Sequence, residues 1–334
     1  MSAAPAHATM SMTMTLENPS PVELTAVEAS PQGPDLSVIV VTHERRELAL
    51  ATLDSARAAT GALDVQWLVI DSGSTDDTPE AIERRFADIH VQRCENIGFA
   101  AANNRALALA SGRYVLLLNP DVEIVSGTFA ELVATLDARP RVGIASVIQQ
   151  GSDAQLQHSI RGFPSPWRAF GEALALPLGD WREERPQPGR YREEHSVDWL
   201  VGAFLLARAE AVEQIGGLDE RFFLYSEETD WCYRAKAAGW DVRHFPQMVI
   251  THHSTPSTKP ELVAQLSYAK LLFARKHYRR SQAASVRAAL VARHLVRVIG
   301  LALKPRRRGA TRTRLIAERK ALAVVCGIAP PPFR

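Results

Sequence analysis

The chain has 334 residues, 46% of them hydrophobic, and 39 Lys and Arg against 37 Asp and Glu leave a formal net charge of +2. That length holds one large α/β domain with an appendage or two small domains, and the near-neutral balance gives no reason to expect a nucleic-acid partner. Cys94, Cys232 and Cys326 are far apart and form no C-x-x-C pair, which argues against a disulfide framework or a zinc site and for a reducing compartment.

Residues 1 to about 34 are rich in Ala, Thr, Met, Ser and Pro without a helical or strand period, and are expected to be a disordered leader. They show neither a basic n-region nor an apolar h-region, and no stretch of the chain is apolar and uncharged for 18 residues, so a cytoplasmic protein without a membrane span is expected. From Leu36 the pattern changes to short apolar runs, SVIVVT (37–42), VQWLVID (65–71), IHVQRC (89–94) and YVLLLN (114–119), which read as buried parallel strands. Helical stretches lie between them, the second starting near Ser74 or Thr75. This alternation predicts an α/β fold with a parallel sheet covered on both faces, whose ligands bind beyond the carboxyl ends of the strands. After a Pro- and Arg-rich loop (177–196) come the apolar segment VDWLVGAFLLA (197–207), a Gly-Gly turn, an acidic helix over about 226–238 and strands near 242–245 and 248–252. From about Glu261 the chain reads as helical to its end.

Three strands end in polar residues: Thr42 with Glu44, Asp71 with Ser72, and Asn119 with Asp121. Carboxylates at such ends can accept from a base or ribose or carry a divalent cation, and equally can cap the next turn. The loop Asn96-Ile97-Gly98-Phe99, followed by Asn103 and Asn104, could offer backbone N–H groups to a phosphate or be a plain strand-to-helix turn. Asp121 begins no obvious helix and is a candidate ligand for Mg²⁺ or Mn²⁺; His252, at another strand end, is a second. The cluster FFLYSEETDWCYR (222–234) sets Glu227, Glu228 and Asp230 among five aromatic residues, where a carboxylate can be poised to take a hydroxyl proton or can simply complement a helix dipole.

Taken in order, the segments SVIVVTHER, VIDSGSTD, ENIGFAAANN, LLLNPDVE, VDWLVGAFLLARAEAVEQIGGLDERFFLYSEETDWCYRAKAAGW and THH resemble family 2 of the inverting glycosyltransferases, the rhamnosyltransferase-like branch in particular. The resemblance covers about Leu36 to Ser257. It implies a GT-A type fold with a single nucleotide-binding sheet, divided here into a nucleotide-sugar half (35–150) and an acceptor half (151–257), ahead of a basic helical extension (258–334). It further implies a nucleotide diphosphate sugar as donor, rhamnose favoured, a glycan or glycolipid acceptor, and Mg²⁺ or Mn²⁺ as cofactor. Thr42, Glu44, Asp71, Gly98, Asn103 and Asn119 then line the donor site, Asp121 and His252 hold the metal, and Asp198 and Trp199 shape the acceptor pocket. Glu228 stands at the general-base position, with Asp230 as the alternative. Asn119 replaces the first acid of the family's D-x-D motif, and Glu228 replaces the commoner Asp.

Two rival enzymes lack their marks: no glycine-rich, basic phosphate loop follows the first strand, as a sugar-phosphate nucleotidyltransferase would require, and no G-x-G-x-x-G follows any strand. A non-catalytic glycan-binding protein on the same fold is disfavoured by the joint presence of Asp121, Glu228, Asp230 and His252. In the extension Glu318 is the one acid after Leu262. There Val291, Leu295, Ile299 and Leu303 form a helical stripe, with Arg287, Arg293, His294, Arg297 and Lys304 opposite and Arg306, Arg307, Arg308, Arg312 and Arg314 following. Such a helix suits the anionic inner face of a membrane, or packs its stripe on the catalytic domain.

Overall fold

The computed structural model describes residues 33–173, 188–253, 258–303 and 309–333. The first half runs β1 (Leu36–Thr42), α1 (Arg46–Ala58), β2 (Val65–Ser72), α2 (Thr78–Arg85), β3 (His90–Cys94), α3 (Phe99–Leu107), β4 (Tyr114–Leu118), β5 (Val122–Ser126), α4 (Phe129–Asp137) and β6 (Val142–Gln150). There follow β7 (Ile160–Arg161), α5 (Pro166–Ala173), a 3₁₀ turn (Pro188–Arg192), β8 (His195–Ser196), β9 (Trp199–Leu200), β10 (Phe204–Arg208), α6 (Ala209–Ile215), α7 (Glu227–Ala237) and β11 (Asp241–His252). Three helices close the chain: α8 (Pro260–His277), α9 (Arg280–Ala302) and α10 (Ala310–Cys326).

Successive side chains of a strand face opposite ways, and in β1 both directions lead into core. Val38 and Val40 join Leu53 of α1 and Leu132 and Leu136 of α4. Ile39 and Val41, one step out of phase, join Ala102 and Ala106 of α3 and Trp231 of α7. Burial on both faces is why β1 and β4 read as unbroken apolar runs rather than as alternating ones.

The main sheet has the order β3-β2-β1-β4-β10-β6-β11-β5, with β8 added on β11. β1 to β4 are mutually parallel, β10 runs against both β4 and β6, and β11 lies parallel to β6 and antiparallel to β5. One edge of the sheet therefore gathers the carboxyl ends of β1, β2, β4, β6 and β11 with the amino ends of β5 and β10. β7 and β9 pair separately.

The structure departs from expectation in several places. α2 begins at Thr78, because the Asp76 carboxylate accepts from the Thr78 N–H at 3.1 Å while Ser74 and Thr75 are bound to Glu44. The two strands expected around 242–252 are one, β11, with a register shift between Phe245 and Val249 where Pro246 offers no N–H. Strands β5 and β6 and the short helix α6 were not anticipated.

The last three helices pack on one another. His294, expected on the solvated basic side of α9, is buried between them: one ring nitrogen lies 2.9 Å from Ser267 Oγ on α8 and the other 2.6 Å from Glu318 on α10. Arg287 donates to the carbonyls of Val325 and Cys326, and Arg297 pairs with Glu318 at 3.1 Å. Much of the basic side thus faces α10, whereas Leu295, Val296, Ile299 and Leu303 are exposed. The expected leader up to residue 32, most of the Pro- and Arg-rich loop, Lys304 and Arg306 to Arg308 lie outside the described residues. Among the described residues no helix is long and apolar enough to cross a membrane.

Candidate active site

At the shared edge, β1, β2 and β4 end in polar atoms that no described residue satisfies. Thr42 Oγ1, Asp71 Oδ1 and Asn119 Oδ1 are buried without a protein hydrogen-bond partner. A buried polar atom left unpaired costs roughly 1–3 kcal/mol, so three at one edge mark a site built for a polar ligand. The other Asp71 oxygen is held by the Ser74 N–H at 3.1 Å, which fixes the carboxylate against the loop that follows β2.

Glu44 is placed differently from Thr42. It is exposed, and one carboxylate oxygen accepts from both the N–H and the hydroxyl of Thr75, at 2.9 and 2.6 Å, pinning the loop after β1 to the loop after β2. Gly98 and Asn103 also have structural partners. Gly98 has φ +88°, and a Cβ there would lie 2.7 Å from both the ring and the carbonyl oxygen of Phe223. The Phe99 N–H donates to that carbonyl at 2.8 Å, so the start of α3 receives protein rather than phosphate at this position. The Asn103 amide, buried, donates back to Phe99 O at 2.8 Å. Gly98 thus fits against the 222–226 loop, and Asn103 ties the first turn of α3.

Asp121 and His252 come together. Their nearest atoms, Asp121 Oδ1 and His252 Nε2, are 3.4 Å apart, and both side chains are largely buried. Gln157 decides the tautomer: its amide nitrogen donates to His252 O at 2.9 Å, which turns its oxygen, 3.1 Å away, toward His252 Nδ1. Nδ1 then carries a proton, and in the neutral ring Nε2 faces the carboxylate with its lone pair. A carboxylate oxygen beside an imidazole nitrogen is a donor pair that suits a divalent metal. Among the described residues no third His, Cys, Asp or Glu completes a metal cluster.

The acids of α7 separate sharply. Asp230 has 0% exposure and accepts from Arg234 at 2.8 Å and from Lys276 and His277 at 2.6 Å each. Burial alone would raise its pKa, yet His277, Arg234 and Lys276 hold it below the usual carboxylate value. A carboxylate committed to three donors is a poor proton acceptor. Among the described residues Glu228 has no such partner. Burial pushes it up to about 7, against the opposing pull of backbone N–H groups at the start of α7 and of the Arg161 charge. Glu227 beside it is driven up as well, by burial and by the Glu228 charge.

The stretch Val201–Ala203 connects these parts. Ala203 O accepts from the Asn119 N–H at 3.0 Å, and a Cβ at Gly202 would meet Glu228 Cβ at 3.5 Å, an ordinary contact, so this stretch lies between the end of β4 and the start of α7. Asp198 accepts from Phe163 N at 3.0 Å and from Arg168 at 3.2 Å; Trp199 donates to Gly162 O at 2.9 Å and lies under the Arg161 guanidinium. Both therefore hold the 161–168 segment against β9. Gln157, Gly202, Lys276 and His277 escaped the sequence reading, since each acts through a partner remote in sequence.

The sequence model described as glycosyl transferase family 2 matches residues 37–215, more than half of the chain. The chain belongs to glycosyltransferase family 2. A second model, glycosyl transferase family group 2, matches residues 190–296, across α7 and into α9. This glycosyltransferase is 31% identical over 256 residues to the N-acetylglucosaminyl-diphospho-decaprenol L-rhamnosyltransferase of Mycobacterium tuberculosis, covering 70% of this chain and 80% of that one. It is 26% identical over 227 residues to rhamnosyltransferase WbbL of Escherichia coli K12, covering 65% and 83%. Its fold resembles that of the mannosyltransferase PcManGT from Pyrobaculum calidifontis, solved with GDP-Man and Mn²⁺, with a TM-score of 0.53 and 16% identity over 88% of this chain and 86% of that one. The fold is the GT-A type expected from the motifs.

Proposed function

We propose that this family 2 enzyme inverts the anomeric centre of a nucleoside diphosphate sugar, rhamnose favoured, and transfers it to a lipid-linked glycan in cell-surface polysaccharide synthesis. The observation that carries this reading is Glu228: a carboxyl with no cationic partner in hydrogen-bond contact among the described residues, raised to about 7, beside the polar edge of the sheet. At neutral pH it is divided between its two forms and can take a proton from an acceptor hydroxyl as that oxygen attacks the anomeric carbon. Thr42, Asp71 and Asn119 would receive the nucleotide and its ribose. Asp121 and His252 would hold Mg²⁺ or Mn²⁺, which when bound supplies charge stabilisation to the departing diphosphate. Asp198 and Trp199 brace the wall against which the acceptor would lie. Residues 35–150 serve the donor in this scheme and 151–257 the acceptor.

The rhamnosyltransferase relatives support rhamnose as the sugar, and the decaprenol-linked acceptor in one of their names supports a lipid carrier. A lipid carrier implies work at the inner face of the membrane, reached by peripheral contact through the C-terminal helices. The test is a panel of nucleoside diphosphate sugars with Mn²⁺ and a synthetic N-acetylglucosaminyl-diphospho-lipid. Deoxythymidine diphosphate rhamnose should give the fastest release of nucleoside diphosphate, with inverted configuration in the product; a retained configuration would refute the single displacement.

A further inference from the structure

Helix α7 carries Glu228 yet is poorly started. The two residues before it, Tyr225 and Ser226, have φ of +73° and +66°, a region that L side chains avoid, and the Ser226 hydroxyl makes no capping bond. Something outside the helix must hold its first turn, and the bonds of Asp230 show what does. One oxygen takes Arg234, whose guanidinium also donates to the carbonyls of Ile215, Gly216 and Gly217. The other takes His277 and Lys276 from the last turn of α8, both at 2.6 Å. Lys276 reaches on to Asp219, also at 2.6 Å, which Arg221 pairs in turn.

The same end of α8 grips the acceptor wall. The His277 ring lies 4.2 Å from that of Tyr233 on α7 and 4.8 Å from that of Phe273, and Phe163 packs edge-on against Tyr233 at 5.0 Å. Tyr278 donates to Pro164 O. One turn of helix therefore touches both the helix that bears the base and the segment that Asp198 and Trp199 brace.

We propose that Lys276 and His277 are positioning residues that fix Glu228 against the acceptor wall, so that α8 belongs to the catalytic machinery and not to an appendage. This rests on Glu228 being the base. His277 must carry its proton on Nε2 to donate to the Asp230 carboxylate, and Phe273 and Tyr233 leave its ring little freedom to turn.

The test uses the full chain and the donor of the panel that the unaltered enzyme turns over fastest. His277→Phe keeps the ring packing and removes the donor; kcat should fall about ten- to a hundredfold, as misplacement of a reacting group by up to an ångström does. The KM for the donor should stay unchanged, because Thr42 and Asp71 are untouched. His277→Gln, which returns an N–H near the same point, should restore most of the rate. Hydrogen exchange of the backbone amides at 227–231 and 160–164 should quicken in His277→Phe and recover in His277→Gln. A folded His277→Phe enzyme with normal kcat and normal exchange would overturn the proposal, as would a loss that falls on donor KM alone. Should His277→Phe not fold, Lys276→Gln is read by the same criteria, with Lys276→Arg as its conservative partner. An active Glu228→Gln enzyme would instead overturn the base assignment, a result separable from normal turnover in His277→Phe beside an inactive Glu228→Gln.

Discussion

Glu228 and Asp230 lie two residues apart on one helix turn and differ in every respect that matters for proton transfer. Asp230 is surrounded by cations and stays ionised; Glu228 is desolvated and sits near 7. Glu228→Gln should lower kcat by about 10²- to 10⁴-fold with little change in donor affinity, measured by steady-state kinetics and donor titration. For the unaltered enzyme kcat/KM should rise with pH to a plateau, with an apparent pKa near 7, as Glu228 loses its proton. Stability should move the other way. A carboxyl whose folded pKa is raised above its ordinary value binds its proton more tightly when folded, so the stability it lends is complete in acid and is lost as pH rises through about 7. Glu228→Gln should accordingly melt higher than the unaltered chain at pH 8, and that difference should shrink by pH 4. At the same scale, Asp121 and His252 face each other at 3.4 Å as a candidate metal-binding pair. Chelation with EDTA should abolish transfer, and His252→Ala should raise the Mn²⁺ concentration needed for half-maximal rate, read from a metal titration.

At the scale of elements, the start of α3 and the loop before α7 are packed as one piece. Gly98 permits this twice over, by its φ of +88° and by having no Cβ where Phe223 lies. Gly98→Ala should therefore destabilise the fold by about 1–3 kcal/mol and lower kcat by displacing the 222–226 loop, checked by denaturant unfolding and kinetics. Asn104 adds a second tie between the same regions, with its amide bonded to both the N–H and the carbonyl of Leu218 at 2.8 Å.

For the whole molecule, the lipid-linked acceptor proposed above would require a surface that can meet a membrane. α9 turns Arg287, His294 and Arg297 toward α10 and leaves Leu303 79% exposed, with Leu295, Val296 and Ile299 near it. α5 packs on α9, and its Trp167 is 72% exposed. Contact led by apolar side chains differs from contact led by charge, since salt screens charge and leaves burial of Leu and Trp intact. Co-sedimentation with anionic vesicles should thus fall only in part at high salt, and Ile299→Asp with Leu303→Asp should abolish it while leaving turnover of a water-soluble acceptor unchanged. Binding unaffected by the double substitution would rule out this face.

Read alone, the chain specified the parallel half of its sheet, β1 to β4, its family and the polar residues at those strand ends, for a local reason. Buried strands must be apolar, ligand-facing strand ends must be polar, and both rules act on neighbours in sequence, so Thr42, Asp71, Asn119 and Asp121 stand out. Tertiary structure decided what depends on partners far along the chain. Glu228 and Asp230 are both acids of one helix turn, and it takes Lys276 and His277 of α8, some 47 residues on, together with Arg234, to neutralise one and spare the other. Glu44, Gly98 and Asn103 have the polarity or freedom of ligand-binding residues, and only the folded loops engage them with Thr75, Phe223 and Phe99. His294 is polar on a helical wheel, and only the arrival of Ser267 and Glu318 makes its burial affordable, because a buried imidazole needs both ring nitrogens bonded.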